Sequence, residues 1–222
     1  MNLYLPIEIY NRELQSKLLI AMESASKGMQ VYVGRLNEYI SRDFFAPGII
    51  LLKSITPSDR KIKELRSLKK NNFIITSLDE ECGLVEKTSK RYEKERYSDE
   101  SLELADSVFT WGKFDYDRLS KTFKRHKKKL VKSGNPRIDF WRKDFEFFFK
   151  KKKLQYKNYI LFSLNFKSRS PEELKKEKDY FIKAGYVDRG YTLDIVEKNN
   201  VDSIRMSKKI FNLITTLANK TD

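Results

Sequence analysis

Three carboxylates stand together directly after an apolar stretch of the sequence. The segment FIITSLDEE (73–81) ends in Asp79, Glu80 and Glu81. Because adjacent negative charges repel one another, one of three crowded carboxylates tends to hold a proton, and such a cluster suits general acid–base chemistry. The same residues equally suit the first turn of a helix, where negative charge is favourable. Glu8, near the end of LYLPIEI (3–9), is a further candidate base.

The turn SGNPRID (133–139) combines residues that restrict the backbone with a residue that binds anions. Gly134 permits a positive φ, and Pro136 fixes φ and removes a backbone donor. Arg137 could then present its guanidinium to a carboxylate or phosphate. Alternatively, Arg137 and Asp139 pair with neighbours and only fix the turn. Other candidate substrate- or phosphate-binding residues stand near the ends of predicted elements: Arg12, Gly34, Lys53, Gly112 and Asn135.

Strands and helices that alternate along the chain would position these residues. Short apolar runs predict six strands, at 3–9, 29–34, 48–55, 73–81, 107–112 and 130–134. Amphipathic segments predict helices at 12–28, 56–72 and 113–128, and 87–106 is predicted to be partly helical. This alternation indicates an α/β fold, a Rossmann-like parallel sheet flanked by helices. Ligands of such sheets bind beyond the carboxyl ends of the strands, where the candidate residues would gather.

Two details of these elements are predicted as well. The first helix has Leu14, Leu18, Ala21, Met22 and Ala25 on one face, which is predicted to be its apolar face. Beyond the sheet, YILFSLNF (159–166) is predicted to be another buried strand, and the last helix to cover roughly 203–219.

The composition narrows the class of protein. The chain has 222 residues and a net charge of +15, and residues 121–157 hold 15 Lys and Arg against 3 Asp and Glu. This local excess indicates an anionic partner or a solvated lysine-rich face. One cysteine, Cys82, and one histidine, His126, exclude a Cys/His zinc site within the chain, and His126 in KRHKKK is predicted to be solvated. No phosphate-binding loop or dinucleotide fingerprint occurs, and MNLYLPIEIY lacks the features of a signal peptide, so a cytoplasmic protein is expected.

An ordered set of segments resembles a known family. LPIEIYNRELQSKLLIAMESASKGMQVYVG, GIILLKSI, SLDEECGLV, DSVFTWG and SGNPRIDFW resemble bacterial surface carbohydrate biosynthesis proteins, which look like two-domain GT-B-type glycosyltransferases. The turn SGNPRID is similar to an element of capsule and teichoic-acid polymerases, which transfer glycerol phosphate or sugars. The resemblance covers roughly residues 3–166.

The resemblance implies a domain organisation and a reaction. Residues 1–139 would form an acceptor-side domain, 140–157 a basic aromatic linker helix, and 158–222 the start of a truncated second domain. A nucleotide-activated sugar donor and a glycan or lipid-linked acceptor would be the partners, with no metal and no cofactor. Asp79, Glu80, Glu81 or Glu8 would deprotonate the acceptor, and cations would hold donor phosphates, with Lys53, Arg12 and Arg137 as candidates.

Other interpretations remain open at this point. The segment FWRKDFEFFFKKKKLQYKNY (140–159) could lie on the inner, anionic face of the cell membrane, or its aromatics could belong to a core. The chain could instead be a nucleotide-sugar 2-epimerase, or a non-catalytic fragment that pairs with a separate second-domain chain. A nucleic-acid-binding module would use residues 121–157, although no recognition-helix pattern or aromatic strand motif supports it.

Overall fold

Six parallel strands form the single sheet of the described chain. The computed structural model describes residues 1–35, 46–81, 92–148, 160–164, 169–183, 185, 187 and 192–219. The strands are β1 (Asn2–Pro6), β2 (Gln30–Gly34), β3 (Ile49–Leu52), β4 (Ile74–Leu78), β5 (Ser107–Thr110) and β6 (Leu130–Lys132). All neighbours pair in parallel, in the order β2-β1-β3-β4-β5-β6. The predicted α/β, Rossmann-like fold is therefore confirmed.

Helices connect β1 to β2 and each successive pair of strands from β3 to β6, largely where the sequence predicts them. In the described residues these are α1 (Tyr10–Ser26), α2 (Asp59–Lys70), α3 (Tyr92–Arg96), α4 (Asp99–Leu104), α5 (Lys113–Thr122), α6 (Pro136–Asp139), α7 (Pro171–Lys183) and α8 (Asp194–Ala218). Two 3-10 helices cover Lys124–Lys129 and Lys143–Phe148. The predicted helix at 113–128 is thus an α-helix followed by a 3-10 helix. Ser58 caps α2, where its Oγ accepts a hydrogen bond from the Lys61 amide.

Apolar side chains cover both faces of the sheet, as an all-parallel sheet requires. The larger core layer is continuous from the strands into α2, α4 and α5, and includes Ile50, Leu65, Ile75, Leu102 and Leu119. On the opposite face a smaller layer is built from Leu3, Leu5, Leu51 and Leu78, against which Ile20 and Ala21 of α1 pack.

The predicted apolar face of α1 is wrong in part, although Ala21 of that face does pack on the smaller core layer. Leu18 and Met22 are 42% and 64% exposed, whereas Glu13, Ser16 and Lys17 are buried. The helix turns this polar set toward the protein because its first turns lie beside the carboxyl ends of the strands, where polar partners are available. Helix periodicity alone favours the more apolar stripe and cannot register such partners.

His126 is also placed differently from the prediction. Its side chain is buried rather than solvated, with Nε2 2.9 Å from Asp99 Oδ1 and Nδ1 3.6 Å from Glu103 Oε2. Both carboxylates belong to α4, one turn apart. His126 therefore fastens the 3-10 helix Lys124–Lys129 to α4.

The chain divides into two compact units, residues 1–150 and 151–222. In the second unit Lys178 of α7 forms an ion pair with Glu197 of α8. Just before α7, the Arg169 amide donates a hydrogen bond to Asn200 Oδ1 of α8 at 2.9 Å. The last helix is confirmed and begins earlier than predicted, at Asp194. Residues 160–164 form no strand, contrary to the prediction for 159–166. The other positions of that segment lie outside the described residues, and so does Cys82. Within the part that is described, no helix is long and apolar enough to cross a bilayer.

Candidate functional site

The carboxyl ends of the six strands form one edge of the sheet, here called the carboxyl rim. Glu8 follows β1, Gly34 ends β2, Lys53 follows β3, and Gly112 follows β5. Asp79, Glu80 and Glu81 follow β4, and the turn 133–139 follows β6. Arg12 lies in the first turn of α1, which leaves β1 at the same edge. Every candidate site residue of the sequence is thus placed along this rim. The order of strands reverses between β1 and β3, which is where ligands of such sheets commonly bind.

Asp79 is held in place at the rim by hydrogen bonds from Arg96 and Trp111. Arg96 donates two hydrogen bonds to its carboxylate, from Nε to Oδ2 at 2.7 Å and from Nη2 to Oδ1 at 2.6 Å. Trp111 Nε1 also donates to the Asp79 carbonyl oxygen at 2.6 Å. Burial of the Arg96 guanidinium acts to lower its pKa, but the hydrogen bonds and charge of Asp79 outweigh it and raise that pKa, so Arg96 stays charged. A bidentate pair of this kind suits a structural tie better than a base.

Glu80 is buried beside two cations. Its Oε1 lies 3.5 Å from Nζ of the fully buried Lys17, and its Oε2 lies 3.7 Å from Arg137 Nη1. Arg137 Nη1 also donates a hydrogen bond to the Glu80 carbonyl oxygen at 2.8 Å. This contact ties the turn after β6 to the end of β4, as the structural interpretation of SGNPRID predicts. Burial lowers the pKa of Lys17, although the charges of Glu80 and Glu13 act to raise it.

Several buried polar atoms near the rim have no hydrogen-bond partner among the described residues. These atoms are Lys17 Nζ, Glu80 Oε2, Asn135 Nδ2, Arg12 Nε and Ser77 Oγ. Asn135 uses its other side-chain atom, Oδ1, to accept a hydrogen bond from the Arg137 amide and so caps α6. Buried polar groups are nearly always paired, so atoms that the protein leaves unpaired call for a bound molecule or water. Three of them, on Lys17, Glu80 and Asn135, combine two donors with one acceptor.

A second network lies where β1 and β3 end. Glu13 is buried and accepts hydrogen bonds from the Glu8 amide at 2.9 Å and from Arg12 Nη2 at 3.0 Å. Burial acts to raise the pKa of Glu13, but these hydrogen bonds and the nearby charges of Lys53 and Arg12 outweigh it and leave that pKa lowered. Glu8 forms an ion pair with Lys53 across the reversal point of the sheet. Arg12 Nη1 lies 3.5 Å from Glu81 Oε1, so the two networks meet at Glu81.

Five carboxylates and five cations of the described rim residues are paired with one another. The carboxylates of Glu8, Glu13, Asp79, Glu80 and Glu81 each lie within 4 Å of at least one cation from the set Arg12, Lys17, Lys53, Arg96 and Arg137. The mutual repulsion expected of the crowded carboxylates is therefore compensated. A balanced set of donors and acceptors suits a polar, hydroxyl-bearing ligand better than a highly charged anion.

The glycines have distinct surroundings. Gly134 has a φ of +86°, and a side chain there would meet open space, so the backbone conformation is what requires glycine. Gly34 ends β2 and accepts a hydrogen bond at its carbonyl oxygen from the Ile7 amide at 2.7 Å. Gly112 is the residue before α5.

Sequence reasoning missed Glu13, Ser16, Lys17, Arg96 and Trp111 as parts of the rim. A signal existed for the first three, because Glu13, Ser16 and Lys17 have the spacing of one helix face. Arg96 and Trp111 are joined to Asp79 by contacts 17 and 32 residues apart in the sequence, which no local pattern shows.

Comparisons with family models, curated proteins and solved structures found no match to this chain. Within the described residues, no group of three or more His, Cys, Asp or Glu side chains could hold a metal ion. The fold and the site together define an α/β unit with a charge-balanced polar rim.

Proposed function

We propose that this chain is a glycosyltransferase of surface polysaccharide biosynthesis, in which residues 1–150 form the acceptor-side unit. The observation that supports it best is the set of unpaired buried atoms on Lys17, Glu80 and Asn135 at the carboxyl rim. A sugar carries hydroxyls that both donate and accept, so it complements two donors and one acceptor. The family resemblance of the segments around the rim supports the same class of reaction.

In this proposal the rim holds the acceptor and removes its proton. Glu81 and Glu8 are the accessible carboxylates, with side chains 49% and 64% exposed, whereas Glu80 is reached only if Arg137 moves away from it. Glu81 and Glu8 are therefore better candidate bases than Glu80, and Glu80 binds an acceptor hydroxyl. The donor is a nucleotide-activated sugar or glycerol phosphate.

The test is a transfer assay with nucleotide sugars and oligosaccharide or lipid-linked acceptors. Loss of activity in Glu81→Gln with retained acceptor binding would support the base assignment, and loss of acceptor binding in Glu80→Gln would support its role. Glu23→Gln is the control, because Glu23 lies on the exposed side of α1, where it pairs with Lys27. Unchanged activity in both rim variants rejects the assignment.

Isomerisation of a nucleotide sugar without any acceptor would instead favour the alternative function, a nucleotide-sugar 2-epimerase.

A binding assay separates the ligand class from the reaction. Oligosaccharides are expected to raise the melting temperature of the wild-type chain, because a ligand that binds only the folded state stabilises it. The Glu80→Gln variant should lose this effect, while Glu23→Gln should keep it. If a cytidine or uridine nucleotide alone stabilises the chain and oligosaccharides do not, the rim does not hold an acceptor.

A further inference from the structure

The strongest unbalanced charge of the described chain lies at the opposite edge of the sheet from the rim. Residues 121–129 contain six Lys and Arg and no Asp or Glu. The 3-10 helix Lys124–Lys129 directly precedes β6, so it lies at the edge where the strands begin. Since strands of three to five residues separate the two edges, they stand roughly 10–17 Å apart along the strands.

The geometry of the 3-10 helix turns its cations outward. A 3-10 helix has three residues per turn, so every third side chain lies on one face. Phe123 and His126 are buried, and Lys129 Nζ donates to the carbonyl oxygens of Leu102 and Glu103 at the end of α4, at 3.0 and 2.7 Å. Positions 123, 126 and 129 therefore face the protein. The remaining residues of the helix, all basic, face away from it.

Four lysines of this segment have no partner in the part of the chain that is described. Lys121, Lys124, Lys127 and Lys128 are exposed and form no ion pair there, and together they are called the basic edge. Arg125, between them, lies 3.9 Å from Asp99 and 3.7 Å from Glu103. The described part of 140–159, by contrast, carries two cations and two acidic residues, so it offers no net charge.

We propose that the basic edge binds the surface of an anionic membrane. Lysines held on a rigid, solvent-facing turn attract anionic headgroups, and their attraction extends over a Debye length of roughly 8–10 Å. Nucleic acid fits the segment less well. A six-residue 3-10 helix is short for a groove, and residues 121–130 expose no aromatic side chain on which a base could stack. This inference does not depend on the proposed function.

Vesicle sedimentation tests the inference with the full chain. Vesicles of phosphatidylcholine with about one third phosphatidylglycerol should bind it at low salt, and pure phosphatidylcholine vesicles should not. Changing Lys121, Lys124, Lys127 and Lys128 to Gln should weaken binding by roughly 100- to 1000-fold, since each lysine near the surface contributes about fivefold.

A matched control removes the same charge elsewhere. Changing the exposed Arg60, Lys63, Lys94 and Lys113 to Gln lowers the net charge by the same amount away from the basic edge. This variant should retain most of the binding. Equal losses in the two variants would mean that only the overall charge of the chain matters, and would overturn the proposal.

Two other outcomes would also overturn it. One is the absence of binding to anionic vesicles at low salt. The other is a duplex DNA probe whose binding depends on the basic edge while vesicle binding does not, which would assign the surface to nucleic acid. Circular dichroism of both variants establishes that they remain folded.

Discussion

Replacing Lys17 with methionine tests whether Lys17 and Glu80 act as a buried ion pair. With Nζ and Oε1 at 3.5 Å, the attraction is about 5 kcal/mol for an effective dielectric constant of about 20. Removing two charges from water costs several kcal/mol for each ion, so the net contribution of the pair to folding is near zero. Breaking it by removing Lys17 is different, because the buried Glu80 then keeps only the partly exposed Arg137, at 3.7 Å, as a compensating charge.

The single and double variants should therefore behave oppositely. Lys17→Met should lower the free energy of unfolding of the first unit by about 3–5 kcal/mol, whereas Lys17→Met with Glu80→Met should restore it to within about 1 kcal/mol of the wild type. In the double variant Arg137 still donates to the Glu80 carbonyl oxygen, which the substitution leaves in place.

Urea unfolding followed by tryptophan fluorescence measures these differences. Both tryptophans, Trp111 and Trp141, lie in the first unit, so the signal reports on that unit. A double variant that is as unstable as the single variant would refute the argument. It would show that the cost of removing Lys17 does not come from the charge left on Glu80, since methionine keeps an apolar chain in place of the lysine stem.

Three further predictions concern other positions. Because the pKa of Glu13 is lowered in the folded state, the ionised Glu13 stabilises the fold above the ordinary carboxyl range, and this stabilisation is lost as the pH falls through the lowered pKa. Glu13→Gln should therefore reduce the loss of unfolding free energy between about pH 6 and pH 3, and a loss as steep as in the wild type would contradict this. His126→Ala should lower the free energy of unfolding by about 2–4 kcal/mol, through a lost buried ring and hydrogen bond, and a neutral result in urea titration would show that the 3-10 helix is held otherwise. Changing Leu18 and Met22 together to Gln should alter the free energy of unfolding by less than about 0.5 kcal/mol for each substitution, as expected of exposed positions. A large drop in the melting temperature would instead support the apolar face predicted from the sequence.

The sheet was accessible to sequence reasoning because its signals are local. A strand buried on both faces is a short apolar run, as in LYLP or IILL, and helices separate such runs at regular intervals. Parallel pairing then places all strand ends at one edge, so the positions of Glu8, Lys53 and Asp79 follow from the alternation alone. The 3-10 helix is not predicted, since the sequence pattern assigns residues 113–128 to one helix and His126 to solvent, although Phe123, His126 and Lys129 are spaced by three.

The chemistry of the rim was not accessible in the same way. Lysine and glutamate are mostly exposed residues, so a pattern gives no reason to bury Lys17 and Glu80. Their burial depends on a contact between α1 and the end of β4, more than 60 residues apart in the sequence. For the same reason the local crowding of Asp79, Glu80 and Glu81 suggested mutual repulsion, whereas each is compensated by a cation from another element.

The charge balance of the rim also bears on which substrate it holds. A nucleotide-activated donor carries phosphate charges, and phosphate sites offer backbone amides, arginines or lysines that remain free to pair with it. Arg12, Lys17, Lys53, Arg96 and Arg137 each lie within 4 Å of a carboxylate instead. To bind a phosphate there, Arg12, Lys53 or Arg137 would have to leave an existing partner, and the freed carboxylate would repel the ligand. A neutral sugar brings no charge to this set, and it complements the unpaired atoms of Lys17, Glu80 and Asn135 once Arg137 moves away from Glu80. These five paired cations therefore fit the acceptor better than the donor, and donor phosphates require cations from outside this set.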